Sequence, residues 1–296
     1  LAQERDISLE LRFSRTKAME IYKNGVRQKR QSDAQGLLKT VLFCPEDLML
    51  VRAGAAARRR FLDTALCQMR PNYARYLEEY NRLHEHKTRI LRDSEEKPSL
   101  LSMWEDFSLR MAHIGAQIIR YRAYYCRKLL KAAAAVYADI APHEVLSGVY
   151  KTVSSVTDPF ADARTIEKQL IDHVFSHKTA EIAAKSCLSG PHKDDLELLL
   201  DCRSAASFGS QGQVRTCILS LKLAERELFF DEDGEYPVLL LDDVLSELDR
   251  RRQDFVLNRI SAGQVMITCC EDGISEKLRA GAVFHIQNGE KSAETH

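Results

Sequence analysis

The first part of the chain alternates between apolar and polar residues. Four apolar positions between residues 6 and 13 alternate with polar neighbours, which is the period of a half-buried strand. Residues 18–22 are followed by Asn24-Gly25 and Val26, and this turn dipeptide predicts a hairpin. We therefore predict a small antiparallel sheet, followed by a buried strand over Thr40–Phe43.

The pattern becomes helical between Ala55 and Phe175. A helix is predicted from Ala55 to Met69, where Pro71 ends it. Two stripes of large residues at three-and-four spacing then meet around Pro98 and predict an antiparallel helical hairpin. The stripes are Tyr73, Tyr76, Tyr80, Leu83, Lys87 and Ile90, then Met111, Ile114, Ile118, Tyr121 and Tyr125. A short strand over residues 145–153 and a helix over 161–185 complete this region.

Strands and helices alternate in the remaining part. Strands are predicted over 196–200, 238–241, 264–268 and 282–286, with helices after Ser210 and over 250–260. The strand at 238–241 is wholly apolar, as a central strand of a covered parallel sheet is. This order predicts an α/β fold. We expect a head made of residues 1–53 and 188–296, with a helical arm inserted over 54–187.

Composition narrows the class of protein. Forty-three basic and 43 acidic residues cancel, which excludes a polybasic surface and leaves nucleic-acid contact to local patches. Eight cysteines lack any Cys-x-x-Cys pair, so we expect a reducing cytoplasm, with neither a disulfide framework nor a zinc module. No apolar run reaches the roughly 20 residues that span a bilayer, so no membrane partner is expected.

Three polar motifs accompany the α/β pattern in the second half. The segment Ser207–Thr216 has glycines at 209 and 212 and opens a helix, and a helix N-terminus favours anions. The apolar strand ends in Asp242-Asp243, acids able to hold a magnesium ion and orient a water molecule. A polar turn, Ser246 to Asp249, follows. Together the three motifs indicate a nucleotide site.

These motifs resemble those of known ATPases. Ser210-x-Gly212-Gln213 is similar to the signature motif of ABC-type ATPases, Asp242-Asp243 to their Walker B acids, and Ser246-x-Leu248-Asp249 to their D-loop. Two segments resemble the RecF family of bacterial recombination mediators more narrowly. They are Phe-Gly-Ser-Gln-Gly-Gln and, later in the chain, Leu-Leu-Leu-Asp-Asp-Val-Leu-Ser-Glu-Leu-Asp. The likeness extends to residues 43–48, 58–63 and 189–196, so it covers nearly the whole chain.

The resemblance implies specific roles for these residues. Ser210, Gly212 and Gln213 would contact the γ-phosphate of ATP held by a partner copy. Asp242 would bind Mg²⁺, while Asp243, where many relatives use glutamate, would orient the attacking water and give slow hydrolysis. Ser246 and Asp249 would lie across the same interface between the two copies.

Two further positions depart from the ABC pattern. Glu46 stands where ABC ATPases carry a glutamine that senses magnesium and water, and a plain acid at a helix start is the alternative. Cys269 stands where transporters place a histidine, and Thr268 is therefore the expected switch contact. The run Gly190-Pro191-His192-Lys193 is either a ligand contact or a tight turn.

The phosphate-binding loop Gly-x-x-x-x-Gly-Lys-Ser/Thr is missing from the sequence. Related families carry it ahead of the region where this sequence starts. We expect that the N-terminal part is absent from the sequence and that the complete protein is a slow ABC-type ATPase. A remnant that cannot bind ATP is the alternative.

The resemblance implies an ATP-dependent homodimeric clamp on double-stranded DNA at gap junctions, with RecR and RecO as partners and RecA loading as its purpose. ATP and Mg²⁺ are the implied cofactors. The 163 residues between Glu46 and Ser210 suit an intermediate helical arm rather than a transporter motor. A silent scaffold that binds DNA or a partner is the second hypothesis. Candidate DNA contacts are Arg58, Arg59, Arg60, Arg120, Arg122, Arg127 and Lys128, with Lys131 beside them.

Overall fold

The N-terminal strands form the predicted hairpin sheet. The computed structural model describes residues 6–16, 19–29, 33–260, 262–270, 281–287 and 290–291. Strands β1 (Leu9–Arg12), β2 (Glu20–Lys23) and β3 (Val26–Arg27) pair antiparallel in that order. Asn24 and Gly25 have φ values of +50° and +75°, as the tight turn between β2 and β3 requires. Strand β4 (Thr40–Phe43) follows and ends before a short 3₁₀ turn at Pro45–Met49.

Helices fill the middle of the chain. Helix α1 (Ala55–Met69) is followed by α2 (Pro71–Asp93) and, after a 3₁₀ turn, by α3 (Trp104–Ile140). Helices α2 and α3 pack as the predicted hairpin joined around Pro98. Strand β5 (Leu146–Lys151) then precedes α4 (Ala163–Ser176) and α5 (Lys178–Ala184). The helix predicted over 161–185 is therefore two helices, with a break at His177.

The last part alternates between strands and helices. Strands β6 (Asp195–Leu200) and β7 (Arg203–Ser204) lead to α6 (Ala205–Phe208) and α7 (Gln211–Asp233). Strand β8 (Val238–Asp242), helix α8 (Arg250–Arg259) and strand β9 (Val265–Thr268) follow. The final pair is β10 (Ile286–Gln287) with β11 (Glu290–Lys291). Of the strand predicted over 282–286, only Ile286 lies in a strand, while Val283 and Phe284 are exposed.

A parallel sheet with strand order β4-β8-β9 places the polar motifs at one edge. As predicted, β8 is the central strand. Its Leu239 and Leu241 are buried beside Val41 and Phe43 of β4, in the same core that α7 enters with most of its apolar residues. Since the strands are parallel, their carboxyl ends meet at one edge, where ligands of α/β sheets bind.

A second sheet joins residues from the predicted arm to residues from the predicted head. Strand β5 lies inside residues 54–187, yet it pairs antiparallel with β6 along its whole length, from Leu146 opposite Leu200 to Lys151 opposite Asp195. Strand β7 adds the third strand. The predicted arm and the predicted head are therefore joined through this sheet. No helix among the described residues combines the length and apolarity needed to cross a bilayer.

Candidate functional site

The two acids at the end of β8 are held by the neighbouring strand. Asp242 lies opposite Thr268 of β9 in the strand register. The Thr268 hydroxyl donates to Asp242 Oδ1 at 2.6 Å and accepts from the backbone N–H of Asp243 at 3.0 Å. Asp242 is exposed at the sheet edge. The residue predicted as the switch and the residue predicted to bind Mg²⁺ are thus directly hydrogen-bonded.

Asp243 has a left-handed backbone conformation. Its φ is +50°, a conformation that is rare for residues other than glycine and most accessible to Asp and Asn. Ser246 stabilises it from the next turn, because its hydroxyl donates to the Asp243 carbonyl at 2.7 Å and lies 3.2 Å from Asp243 Oδ1. The start of the predicted D-loop therefore orients the acid predicted to position water.

The start of α7 is fixed by a capping box. Gln213 donates its backbone N–H to Ser210 Oγ at 3.2 Å, and Ser210 donates its own N–H to Gln213 Oε1 at 2.8 Å. The side-chain amide of Gln213 also donates to Glu144 at 2.9 Å. Gln213 is therefore engaged inside the chain, while Ser210 remains exposed beside the first turn of the helix, whose amides favour an anion.

The two glycines of this loop differ in what requires them. A methyl group at Gly209 would lie 2.6 Å from the carbonyl oxygen of Ala205. Any larger residue there would therefore clash with the backbone. At Gly212 the nearest described atoms would be Arg252 Nη2 at 3.5 Å and Ser210 Oγ at 4.0 Å, which is ordinary contact. Since glycine inside a helix costs roughly 0.5–1 kcal/mol relative to alanine, packing among the described residues does not explain Gly212.

The predicted D-loop ends where α8 begins. Asp249 caps this helix by accepting the backbone N–H of Arg252 at 3.0 Å, and its carboxylate also pairs with the Arg252 guanidinium. Burial acts to raise the pKa of Asp249, but the hydrogen bonds and charge of Arg252 hold it below its ordinary value. The carboxylate therefore stays ionised near the start of α7.

Glu46 lies in the 3₁₀ turn that follows β4. Because β4 is parallel to β8, this turn is at the same sheet edge as the two acids. Glu46 lines a cavity of about 500 Å³ together with Lys222 and Glu225 of α7. Lys222 donates to the Leu42 carbonyl at 2.7 Å and pairs with Asp47 at 3.1 Å. Burial raises the pKa of Glu225 to about 7, although the charge of Lys222 opposes this.

The Gly190-Pro191-His192-Lys193 run forms a structural turn. Gly190 has a φ of +126°, and a methyl group there would lie 2.2 Å from Tyr80 Oη. His192 Nδ1 lies 2.7 Å from the same hydroxyl, while His192 Nε2 lies 3.1 Å from the Cys187 carbonyl. Burial lowers the pKa of His192 to about 3, so the ring is neutral. Of the two predictions for this run, the structure favours the tight turn.

Arg122 is the centre of a buried network where α1, α2 and α3 meet the turn at residues 191–194, a region that we call the base of the arm. Its side chain is 3% exposed and pairs with Asp63 of α1 and Asp194 before β6, each at 2.9 Å. It also donates to the hydroxyl of Tyr73 and the carbonyl of Pro191. Arg122 therefore ties α1, α2 and α3 to the turn at 191–193, an arrangement that occupies the donors a DNA phosphate would need.

The other candidate DNA contacts divide into engaged and exposed side chains. Arg58 pairs with Asp195 at 2.6 Å, and Arg59 donates to the Asp194 carbonyl at 2.7 Å. Arg120 is partly buried, and its Nε has no hydrogen-bond partner among the described residues. The remaining side chains, Arg60, Arg127 and Lys128, are exposed, and Arg127 stacks on the rings of Tyr124 and Phe160.

Several residues that shape this site were not singled out from the sequence. They are Arg252, Arg215, Glu144, Lys222 and Glu225. The position of Arg252, three residues after a helix-capping aspartate in an Arg-Arg-Arg run, is a local signal of an i,i+3 pair. Glu144, Arg215 and Lys222 contact partners at least 32 residues away, so sequence periodicity does not reveal them.

The fold and these motifs together define an ABC-type ATPase head with an inserted helical arm. More narrowly, the chain belongs to the RecF family. It is 37% identical over 297 residues to the DNA replication and repair protein RecF of Bacillus cereus, which covers 97% of this chain and 78% of that protein. The RecF of Clostridium tetani is 34% identical over 295 residues, covering 98% and 79%. No protein-family model matches the chain.

Solved structures agree with this family. A structure of the recombination mediator protein RecF with ATP, in the RecFOR pathway, matches with a TM-score of 0.87 and 30% identity. The match covers 96% of this chain and 76% of that one. The resemblance read from residues 207–249 is therefore confirmed at the level of family and fold.

Proposed function

We propose that this protein acts in recombinational DNA repair as an ATP-dependent clamp. Gly212 carries the proposal, because the described residues leave room for a methyl group there and yet the residue beside the exposed start of α7 is glycine. A helix N-terminus with space for close approach suits a phosphate. The solved structure of RecF with ATP supports ATP as the ligand.

The roles proposed for individual residues follow from their placement. Ser210 and Gly212 would approach the γ-phosphate of ATP held by a second copy of the protein, with Gln213 stabilising their helix start. Asp242 would bind Mg²⁺, since its carboxylate is exposed and oriented by Thr268. Asp243, Glu46 and Ser246 lie at the same edge and would position the attacking water. A cluster of acids around one phosphate needs such a cation.

DNA would contact the exposed basic residues rather than the engaged ones. Arg60, Arg127 and Lys128 are exposed and would meet phosphates, whereas Arg58, Arg59 and Arg122 hold the head and the arm base together. We propose residues 54–187 as the arm and residues 1–53 with 188–296 as the head. The clamp would recognise gapped or junction DNA, with RecR and RecO as partners, as the RecFOR pathway of the solved structures supports.

Asp243→Asn tests the catalytic part of this proposal in the protein expressed from its complete gene. The change keeps the shape of the side chain but removes the charge that would orient water, so turnover of ATP should fall on the order of a hundredfold or more. ATP-dependent association on gapped DNA should persist. Phosphate release and light scattering measure the two properties.

Asp172→Asn is the matched control, because Asp172 is exposed on α4 and away from the sheet edge. It should leave both properties unchanged. Undiminished turnover in Asp243→Asn would remove Asp243 from the mechanism. A wild-type protein that does not associate with ATP on DNA would refute the clamp itself.

A further inference from the structure

One side chain joins the signature helix to the D-loop. Arg252, in the first turn of α8, donates through Nε to Thr216 Oγ1 at 2.9 Å and through Nη2 to the Gly212 carbonyl at 3.2 Å. Its Nη1 pairs with Asp249. The side chain is only 22% exposed. The three nitrogen atoms of one guanidinium group thus connect both motifs.

The arrangement requires arginine. A guanidinium is a planar fork with donors fixed in several directions, whereas a lysine ammonium is a single point charge. The acceptors are also fixed, because Thr216 is buried and its hydroxyl donates to the Gly212 carbonyl at 2.8 Å. Arg252, Thr216 and Gly212 therefore form a closed ring of hydrogen bonds at the base of the first turn of α7.

A second contact joins the same two motifs. Arg215 of α7 pairs with Glu247 of the D-loop at 2.7 Å. The two side chains are 36% and 43% exposed, and an exposed pair of this kind contributes little by itself. Arg215 is, however, the neighbour of Thr216 in the chain, so this pair lies beside the Arg252 contact. The two short segments are therefore joined by two links.

We propose that Arg252 is a positioning residue that makes the signature helix start and the D-loop one rigid surface. This inference rests on the proposed function, in which ATP of a second copy meets Ser210 and Gly212. Because Arg252 bonds to the Gly212 carbonyl and to Asp249, an anion that seats at Gly212 also fixes the D-loop. The partner's nucleotide and the interface around it are thereby coupled within this chain.

Arg252→Gln and Arg252→Lys test the proposal in the complete protein. Loss of the guanidinium group removes its charge-assisted hydrogen bonds. Hydrogen exchange of the backbone amides over residues 211–217 and 245–250 should therefore become on the order of tenfold faster without nucleotide. ATP-dependent association should weaken by about tenfold or more in Arg252→Gln, with ATP binding to the isolated protomer unchanged. Arg252→Lys keeps the charge and should recover less than half of either effect, because geometry is what is lost.

Arg251→Gln is the matched control, since it removes the same charge from the same helix at an exposed position. If it weakens association as much as Arg252→Gln does, charge rather than positioning is responsible and the proposal is overturned. Full rescue by lysine would overturn it as well. Unaltered exchange in Arg252→Gln, in a protein that associates normally, would show that the two motifs are not coupled through this residue.

Thr216→Val supplies a second test that does not touch the charge. It removes the acceptor of Arg252 Nε, so its effect on exchange should not add to that of Arg252→Gln in the double variant. Additive effects would mean that the two side chains act independently. The exchange measurements need no nucleotide. They therefore remain decisive if the wild-type protein fails to associate, an outcome that would refute the proposed clamp but not the link.

Discussion

Two clusters of charged residues in this molecule differ in whether their charges are buried and paired within the chain or exposed to solvent. At the base of the arm, Arg122 and Asp194 are almost wholly buried, and Arg122 is matched by two carboxylates, a tyrosine hydroxyl and a carbonyl. At the sheet edge and the helix starts beside it, Asp242, Ser210 and Asp249 are exposed. The first cluster is closed within the chain, while the second presents charge and amides to the outside.

The difference separates stability from ligand binding. A buried charge without a partner is costly, so the chain must match Arg122 internally. An exposed acid or helix start costs little when left to water, and it can be kept for a ligand. Changes at the arm base should therefore unfold the protein, whereas changes at the sheet edge should leave it folded and inactive.

Arg122→Met should give the largest loss of stability. It leaves Asp63 and Asp194 without their cation, and breaking a buried pair in this way costs about 3–5 kcal/mol. Urea unfolding followed by circular dichroism measures the free energy. Arg127→Met is the control, because Arg127 is exposed on the same helix and should lose less than about 1 kcal/mol. Equal losses in the two variants would contradict the claim that the buried Arg122 network stabilises the fold.

Gly190→Ala should have the next largest effect. Its φ of +126° is unfavourable for alanine, and the new methyl group would meet Tyr80 Oη at 2.2 Å. We expect a loss of about 2–3 kcal/mol by the same urea unfolding. Gly54→Ala is the control, since its φ is −66° and nothing described lies within 4 Å of the added carbon; because Gly54 is the N-cap of α1, it should lose about 0.5–1 kcal/mol and no more. A tolerated alanine at 190 would mean that the turn is not fixed by Tyr80.

His192 should make the arm base sensitive to acid. Burial lowers its pKa from 6.5 to about 3 in the folded chain, so the unfolded chain binds a proton first as the pH falls. The free energy of unfolding is therefore unaffected by His192 well above pH 6.5. It falls as the pH drops from 6.5 toward 3, by about 2 kcal/mol at pH 5. His192→Gln should flatten this part of the pH profile of unfolding free energy. His143→Gln, at an exposed position, is the matched control, and an unflattened profile in His192→Gln would contradict the assignment.

The sequence predicted what depends on local order. The apolar strand ending in Asp242-Asp243 and the capped helix start at Ser210 are local patterns, and the structure has both. The break at His177, between α4 and α5, was not predicted because the helical spacing of apolar residues continues across it. The short final strand was misjudged because pairing, rather than apolarity, decides where a strand forms.

Contacts between distant residues were beyond sequence reasoning. Arg122 stands among tyrosines on α3 and resembles Arg127, five residues later, so the sequence treats both as candidate DNA contacts. The structure separates them, because the acids that bind Arg122 lie 59 and 72 residues away. Arg252 escaped notice for the same reason, since its links to Thr216 and Gly212 span 36 and 40 residues.

Gly212→Ala should change stability least and function most clearly. The added methyl group meets only Arg252 Nη2 at 3.5 Å and Ser210 Oγ at 4.0 Å among the described atoms, so the variant should be unchanged or more stable by up to about 0.5–1 kcal/mol. The same group would occupy the space that we assign to the γ-phosphate of a second copy. ATP-dependent association of the complete protein on gapped DNA should therefore be lost, as measured by light scattering. Association that survives in a variant of undiminished stability would show that the nucleotide does not approach Gly212, and the sheet edge would lose the feature that distinguishes it from the closed cluster at the arm base.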